Sequence, residues 1–102
     1  MTERHVITLR GEMDFSTVKE LKEHLLADVD AAQADLVVVD LNAVTFMDST
    51  GLGMLVALYQ RQHARGARIG LTGASLNLVK LLDVTRLNAA LPLLEAGGGD
   101  VR

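Results

Sequence analysis

The hydrophobic positions of this chain follow two different spacings. His5–Arg10 and Arg68–Thr72 are short stretches rich in apolar and β-branched residues, and Leu36–Leu41 is almost continuously apolar. Short runs rich in valine and leucine predict strands, and a run without a polar face is typical of a central parallel strand. We therefore expect three strands, with the second in the middle of the sheet.

Polar and glycine-containing segments interrupt these strands. Gly11–Asp14 is expected to end the first strand, and Asn42–Asp48 is expected to form a turn after the second. Between them, apolar residues recur every three or four positions, which predicts an amphipathic helix. Thr17 and Glu20 fit a capping box at its start, and the apolar face extends to Ala32.

Two further helices follow the same periodicity. The second is predicted over Leu52–His63 and ends at Gly66, because glycine accepts the positive φ that follows many helices. The third is predicted over Ala74–Asp83, with Ser75 as a possible N-cap. Leu87–Ala96 is expected to add a short strand or helix.

The order of elements predicts the fold class. Strands that alternate with helices need crossover connections, so the chain is expected to be an α/β protein with a mostly parallel sheet. Its 102 residues suffice for one domain, which we place at residues 1–96. Residues 97–102 are expected to form a flexible Gly-rich tail.

Composition excludes several classes of function. The chain has no cysteine, which excludes disulfides, thiolate metal sites and cysteine catalysis. It has neither a signal peptide nor an apolar run long enough for a membrane span, so we expect a cytoplasmic protein. The second half is basic (+3 over residues 49–102, against −6 before it), but its cations are sparse and aromatics are only 3%. Direct nucleic-acid binding is therefore not expected.

The segment between the second strand and the second helix contains the strongest candidate chemistry. Asp48, Ser49 and Thr50 directly precede the helix, and each is a good N-cap, so simple capping is one interpretation. The other is that a hydroxyl at a helix N-terminus becomes phosphorylated, because free N–H groups and the helix dipole favour the added charge. Local pattern alone leaves both open.

Enzymatic interpretations fit poorly. A nucleophile elbow needs glycine where Met47 stands, and His63 is predicted near the far end of the following helix. The glycines at Gly51 and Gly53 lack the third glycine of a dinucleotide loop, and the histidines lack metal-ligand spacing. We therefore predict no enzymatic activity, no metal and no cofactor.

Two ordered motifs resemble a known family. Residues 46–53 read Phe-Met-Asp-Ser-Thr-Gly-Leu-Gly, and residues 11–14 read Gly-Glu-Met-Asp at the expected distance upstream. Together with the strand order, these motifs resemble the STAS domain family, specifically bacterial anti-sigma factor antagonists. The resemblance covers roughly residues 5–90 and includes the end of the third helix.

This resemblance implies a partner-switching cycle in the control of transcription, of the kind used in stress response or sporulation. The unphosphorylated antagonist binds an anti-sigma factor serine kinase and frees a sigma factor. The kinase then phosphorylates Ser49, with Thr50 as the secondary candidate, and a PP2C-type phosphatase reverses the step. By the same resemblance, Asp14 and Asp48 contact or orient the acceptor. Gly51 and Gly53 allow close approach of the partner.

The chain departs from the family pattern at two places. Family members usually have another strand before the first motif, whereas only ten residues precede Gly11, so we expect this N-terminal edge strand to be shortened or missing. Arg86 stands where glycine is usual, which predicts a different turn after the third helix. Two alternative functions stay open: a STAS scaffold or adaptor without phosphorylation, and a module that binds a small anion or nucleotide. A monomer is expected.

Overall fold

The computed structural model describes residues 3–94 as alternating strands and helices. The elements in chain order are β1 (Arg4–Met13), α1 (Phe15–Ala32), β2 (Leu36–Met47), α2 (Ser49–Ala64), β3 (Arg68–Thr72) and α3 (Leu76–Val84). The predicted α/β class and order of elements are confirmed.

The three strands form one parallel sheet in the order β1-β2-β3. The β2 strand is therefore central, as its continuous apolar run predicts. Within residues 3–94, β1 forms one edge of the sheet and β3 forms the other.

One face of the sheet carries the hydrophobic core. Ile7, Val39 and Leu71 lie side by side across the three strands, and all are buried. Helices α1 and α2 pack against each other and against this sheet. The opposite face is more open: Val6 on β1 is 54% exposed, and Gly70 is covered by the side chain of Leu94.

Both β1 and β2 are longer than predicted. Gly11–Asp14 does not end β1 at Arg10, and Asn42–Asp48 is not a turn, because residues 10–13 pair with residues 43–47 as a continuation of the sheet. Two register shifts lie in this extension, and Gly11 adopts a positive φ of 76° within it. At the first shift the carboxylate of Asp40 accepts hydrogen bonds from the backbone and side chain of Asn42. Pairing with β1 thus keeps a polar, irregular segment extended.

The start of α1 also differs from the prediction. Helix α1 begins at Phe15 with Asp14 as its N-cap, not with Thr17. A capping box is present, but Thr17 occupies its third helical position, where its hydroxyl oxygen accepts a hydrogen bond from the backbone N–H of Asp14. Glu20 takes no part in it. The capping box lies three residues before its predicted position, because Asp14 is itself a strong N-cap.

The later helix ends match the predictions more closely. Helix α2 is followed by Gly66, whose φ is 75°, and Ser75 caps α3 by accepting a hydrogen bond from Leu78 N. The turn after α3 contains Arg86 with a φ of 61°, so an arginine holds the left-handed conformation that glycine prefers.

Within residues 85–94, which follow α3, the chain forms neither a short helix nor a regular strand. Leu93 makes a single parallel bridge with Leu71, and Leu71 N donates to Pro92 O. The predicted end of the domain at residue 96 and the predicted tail over residues 97–102 lie outside the described residues.

Candidate functional site

The candidate site lies where β1 and β2 end side by side. Met13 and Met47 are paired at the carboxyl ends of these strands, and each is followed at once by an aspartate and a helix. A hydrogen bond of 3.3 Å from Asp48 N to Met13 O joins the two segments. The parallel sheet therefore brings the N-termini of α1 and α2 together.

At the N-terminus of α1, side chains satisfy one another. The carboxylate of Asp14 accepts hydrogen bonds from Ser16 N at 3.0 Å and Thr17 N at 3.1 Å, and also from the Ser16 hydroxyl at 2.8 Å. These bonds stabilise the ionised form, so the Ser16 hydroxyl first, and the Thr17 backbone N–H next, lower the pKa of Asp14 below its ordinary value. The Thr17 hydroxyl donates to Glu12 O at 2.7 Å.

At the N-terminus of α2, Asp48 is the capping residue. Its carboxylate accepts hydrogen bonds from Thr50 N at 2.9 Å and Gly51 N at 3.1 Å, and its carbonyl accepts from Leu52 N at 3.0 Å. The capping interpretation of Asp48 is therefore confirmed. Asp14 and Asp48 each cap a helix, and the pairing of Met13 with Met47 sets these two helix ends at the same end of the sheet.

The two hydroxyl side chains of α2 differ in exposure. Ser49 is exposed at the first position of the helix, whereas Thr50 is half-buried. Within residues 3–94, neither hydroxyl makes a hydrogen bond to another group of the chain, in contrast to Ser16 and Thr17 on α1. Ser49 is thus free to meet another molecule.

The two glycines of the motif have different surroundings. Gly51 is buried, and an added Cβ would lie 2.6 Å from Met13 O and 2.9 Å from the Met13 Cβ. Gly53 is exposed, and nothing lies within 4 Å of the position its Cβ would take. Gly51 therefore lets the chain's own β1 approach α2, while Gly53 leaves an open surface one turn after Ser49.

Large apolar side chains surround this end of the sheet. Phe15 is 74% exposed at the start of α1, Phe46 is 52% exposed near the end of β2, and Leu76 is 78% exposed at the start of α3. Exposed apolar groups of this size beside polar ones are typical of protein–protein contact surfaces. These exposed side chains were not predicted, although Phe15, next to the cap Asp14, is visible in the sequence.

A cleft of about 430 Å³ opens between the end of β2 and α3, and it was not predicted either. It arises because β3 ends opposite Asp40, so that, among residues 3–94, the rest of β2 is paired with β1 alone. Its lining includes Phe46, Met47 and Leu78.

Metal-binding and membrane-spanning features are not found in the described chain. Residues 3–94 contain no group of three histidine, aspartate or glutamate side chains that could hold a metal ion. None of the helices in this range has the length and apolar character needed to cross a membrane.

The fold and its order of strands and helices agree with one known family of small α/β domains. Residues 2–96 match the STAS domain family, and the chain belongs to that family. The chain is 32% identical over 93 residues to the anti-sigma-B factor antagonist of Listeria monocytogenes. The aligned residues cover 90% of this chain and 80% of that protein.

Solved structures share the same fold. An anti-sigma factor antagonist from Mycobacterium paratuberculosis is 27% identical with a TM-score of 0.76, covering 91% of this chain and 78% of that one. The Bacillus cell fate determinant SpoIIAA, solved in its phosphorylated form, is 21% identical with a TM-score of 0.71, covering 94% and 86% of the two chains.

Proposed function

We propose that this protein is an anti-sigma factor antagonist whose binding to an anti-sigma factor serine kinase is controlled by phosphorylation of Ser49. The observation that carries this proposal is the exposed hydroxyl of Ser49, which has no hydrogen-bond partner among the described residues and lies at the start of α2. The names of the related proteins support the antagonist function.

In the proposed cycle, the unphosphorylated protein binds the kinase and so releases a sigma factor. The kinase transfers the terminal phosphoryl group of ATP to the Ser49 oxygen, which loses its proton, and ADP leaves. A PP2C-type phosphatase would hydrolyse the phosphoserine and restore binding. This cycle would operate in the cytoplasm.

The exposed apolar residues support a protein partner at this end of the molecule. Phe15, Phe46 and Leu76 would supply apolar area around the hydroxyl, and Gly53 would let the partner approach α2 closely. Gly51 would act indirectly, because its missing side chain keeps α2 against β1.

The geometry favours Ser49 over Thr50 as the phosphate acceptor. Ser49 is exposed, whereas Thr50 is half-buried and its backbone N–H is bonded to Asp48. A kinase needs the acceptor oxygen to be accessible, so Thr50 would require a local opening of the helix.

Electrostatics explain how the phosphate would act as a switch. A phosphate adds about −1.5 to −2 charges at pH 7. Next to Ser49 it would meet the carboxylates of Asp48 and Asp14, and no lysine or arginine occurs in residues 40–60. In a contact surface without a matching cation, desolvation and repulsion would cost several kcal/mol, and a loss of about 3 kcal/mol weakens binding more than a hundredfold. No refolding is required.

The structure weakens the alternative of a small-anion or nucleotide module. The Asp48 carboxylate already binds the backbone N–H groups of Thr50 and Gly51, which an anion at this helix end would need. A bound anion would also face the negative charge of Asp48.

The test combines phosphorylation and capture from a lysate of the native host. Wild type, Ser49→Ala and the matched control Thr50→Ala would be incubated with the captured kinase and ATP, and added phosphate located by mass spectrometry. We expect phosphate on wild type and Thr50→Ala, and none on Ser49→Ala. Absence of phosphate on wild type would overturn the proposed switch.

The binding arm separates charge from size at the same position. We expect Ser49→Asp to weaken capture of the kinase more than Ser49→Asn, because the two side chains have similar volumes and only one is charged. Equal capture of wild type and Ser49→Asp would instead favour a scaffold that does not depend on phosphorylation.

A further inference from the structure

Among the residues that the structure describes, the outer edge of β1 is a long row of unpaired backbone groups. Strand β1 has ten residues and pairs only with β2 within residues 3–94. An exposed strand edge of this length is a template for pairing with another strand, unless it is covered or interrupted.

The pairing pattern shows which backbone groups point outward. Glu3 O accepts a hydrogen bond from Leu36 N, and Arg4 is the residue paired opposite Leu36. In a parallel pair, alternate residues direct both of their backbone groups to the same neighbour. The odd-numbered residues of β1 therefore bond to β2. The N–H and C=O groups of Val6, Thr8 and Arg10 point away from the sheet.

We infer that this edge binds a second copy of the same chain, with the two β1 strands antiparallel and Thr8 opposite Thr8 of the other copy. This arrangement is two-fold symmetric, and each outward-pointing residue meets another outward-pointing residue. Val6 then lies opposite Arg10, and Arg4 lies opposite Glu12. The proposal is independent of the proposed function, and it replaces the monomer expected from the sequence.

Charge complementarity selects this register. Arg4, Arg10 and Glu12 are all exposed on one face of β1. The Thr8-centred register places Arg4 opposite Glu12 at both ends of the pair. If the pair were centred on Ile7 instead of Thr8, Arg4 would lie opposite Arg10. If it were centred on Leu9, Arg4 would no longer lie opposite Glu12. Like charges directly opposite each other destabilise a strand pair, whereas opposite charges stabilise it.

Side chains and backbone fit the same register. Val6 is 54% exposed on the open face of the sheet, and the aliphatic part of the opposing Arg10 side chain would cover it. Gly11 has a φ of 76°, so the regular ladder ends at Arg10, and Glu12 reaches Arg4 through its side chain alone. The contact is smaller than the roughly 1,200 Å² of a standard stable interface, so we expect a weak, reversible dimer.

The experiment measures the mass of the full chain by sedimentation from micromolar to millimolar concentration. We expect the average mass to rise from 11.0 kDa toward twice that value. Hydrogen exchange at the Thr8 amide should slow as the concentration rises. A mass that stays at the monomer value over this concentration range overturns the proposal, whatever covers the edge.

Variants test the edge and the register separately. Thr8→Pro removes an outward N–H without removing a bond to β2, so it should abolish dimerisation. Arg4→Glu should weaken the dimer, and Arg4→Glu combined with Glu12→Arg should restore it. Arg10→Glu is the matched control. Adding Glu12→Arg to it should not restore dimerisation, because Arg10 lies opposite Val6 and not opposite Glu12. Dimerisation that persists in Thr8→Pro, or a failure of the double exchange to restore it, overturns the proposal. The surface charge variants keep the test valid if Thr8→Pro does not fold.

Discussion

The N-termini of α1 and α2 both follow Met-Asp and both contain Ser-Thr, one residue later in α1 than in α2, but they differ in what these side chains do. Residues 13–17 read Met-Asp-Phe-Ser-Thr, and residues 47–51 read Met-Asp-Ser-Thr-Gly. In both, an aspartate after a paired methionine caps a helix. At α1 the hydroxyls bond back to the chain, whereas at α2 they make no such bond within the described residues.

The third helical position explains part of this difference. Thr17 occupies it in α1 and closes a capping box, while Gly51 occupies it in α2, where Met13 O leaves no room for a side chain. The α1 end is completed by its own side chains. The α2 end is packed against β1 and leaves Ser49 free toward solvent, which is the arrangement that a modification site requires.

The largest expected effect comes from giving α2 a side chain at its third position. Gly51→Ala would place a Cβ 2.6 Å from a backbone oxygen that cannot move aside, so strand and helix must separate. We expect the free energy of unfolding to fall by about 3 kcal/mol, at the upper end of ordinary overpacking. Thermal and urea unfolding of wild type and Gly51→Ala measure this difference in the free energy of unfolding.

Gly53→Ala is the matched control for this change. Its Cβ would meet nothing within 4 Å, and alanine is a better helix former than glycine by about 1 kcal/mol. We therefore expect it to raise stability. An equal loss of stability in both variants would contradict the difference between the two glycines.

A smaller effect is expected from removing the cap of α2. Asp48→Ala leaves the N–H groups of Thr50 and Gly51 without their acceptor, which should lower the free energy of unfolding by about 1 kcal/mol. Asp48→Asn should retain most of the stability, because asparagine also caps helices. If Asp48→Ala and Asp48→Asn unfolded at the same temperature as wild type, the capping role would be wrong.

The smallest expected effect is a shift in titration at α1. The pKa of Asp14 lies below its ordinary value of 3.8, chiefly because of the Ser16 hydroxyl, so Ser16→Ala should raise that pKa toward the ordinary value. A lowered carboxyl pKa stabilises the fold above the pKa of the unfolded chain. That stability is lost as pH falls through the folded pKa. Wild type should therefore lose more stability than Ser16→Ala as the pH falls through this range, and the difference in stability between the two should shrink in acid.

Carboxyl titration by NMR measures this shift directly. Ser49→Ala provides the comparison, because the Ser49 hydroxyl makes no hydrogen bond to Asp14. An Asp14 titration that moves in Ser49→Ala and not in Ser16→Ala would contradict the assignment of hydroxyls at the two ends.

Local pattern predicted the element order because periodicity and caps are short-range properties. The ends of α2 and α3 agree closely with the prediction, since Gly66 and Ser75 act within one turn of the chain. The extension of β2 to Met47 could not be predicted in the same way. Asn42 and the residues after it resemble a turn locally, and only pairing with β1 across the sheet keeps them extended.

The sequence by itself determined the α/β class, because the spacing of apolar residues carries it, and the resemblance to the STAS motif indicated Ser49 as the candidate residue. The tertiary structure decided which groups are free. It turned Gly51 toward β1, left Gly53 open, and placed Phe15, Phe46 and Leu76 around one end of the sheet. It also left the outer edge of β1 unpaired within residues 3–94. Exposure and pairing depend on residues distant in the chain, and therefore only the folded structure specifies them.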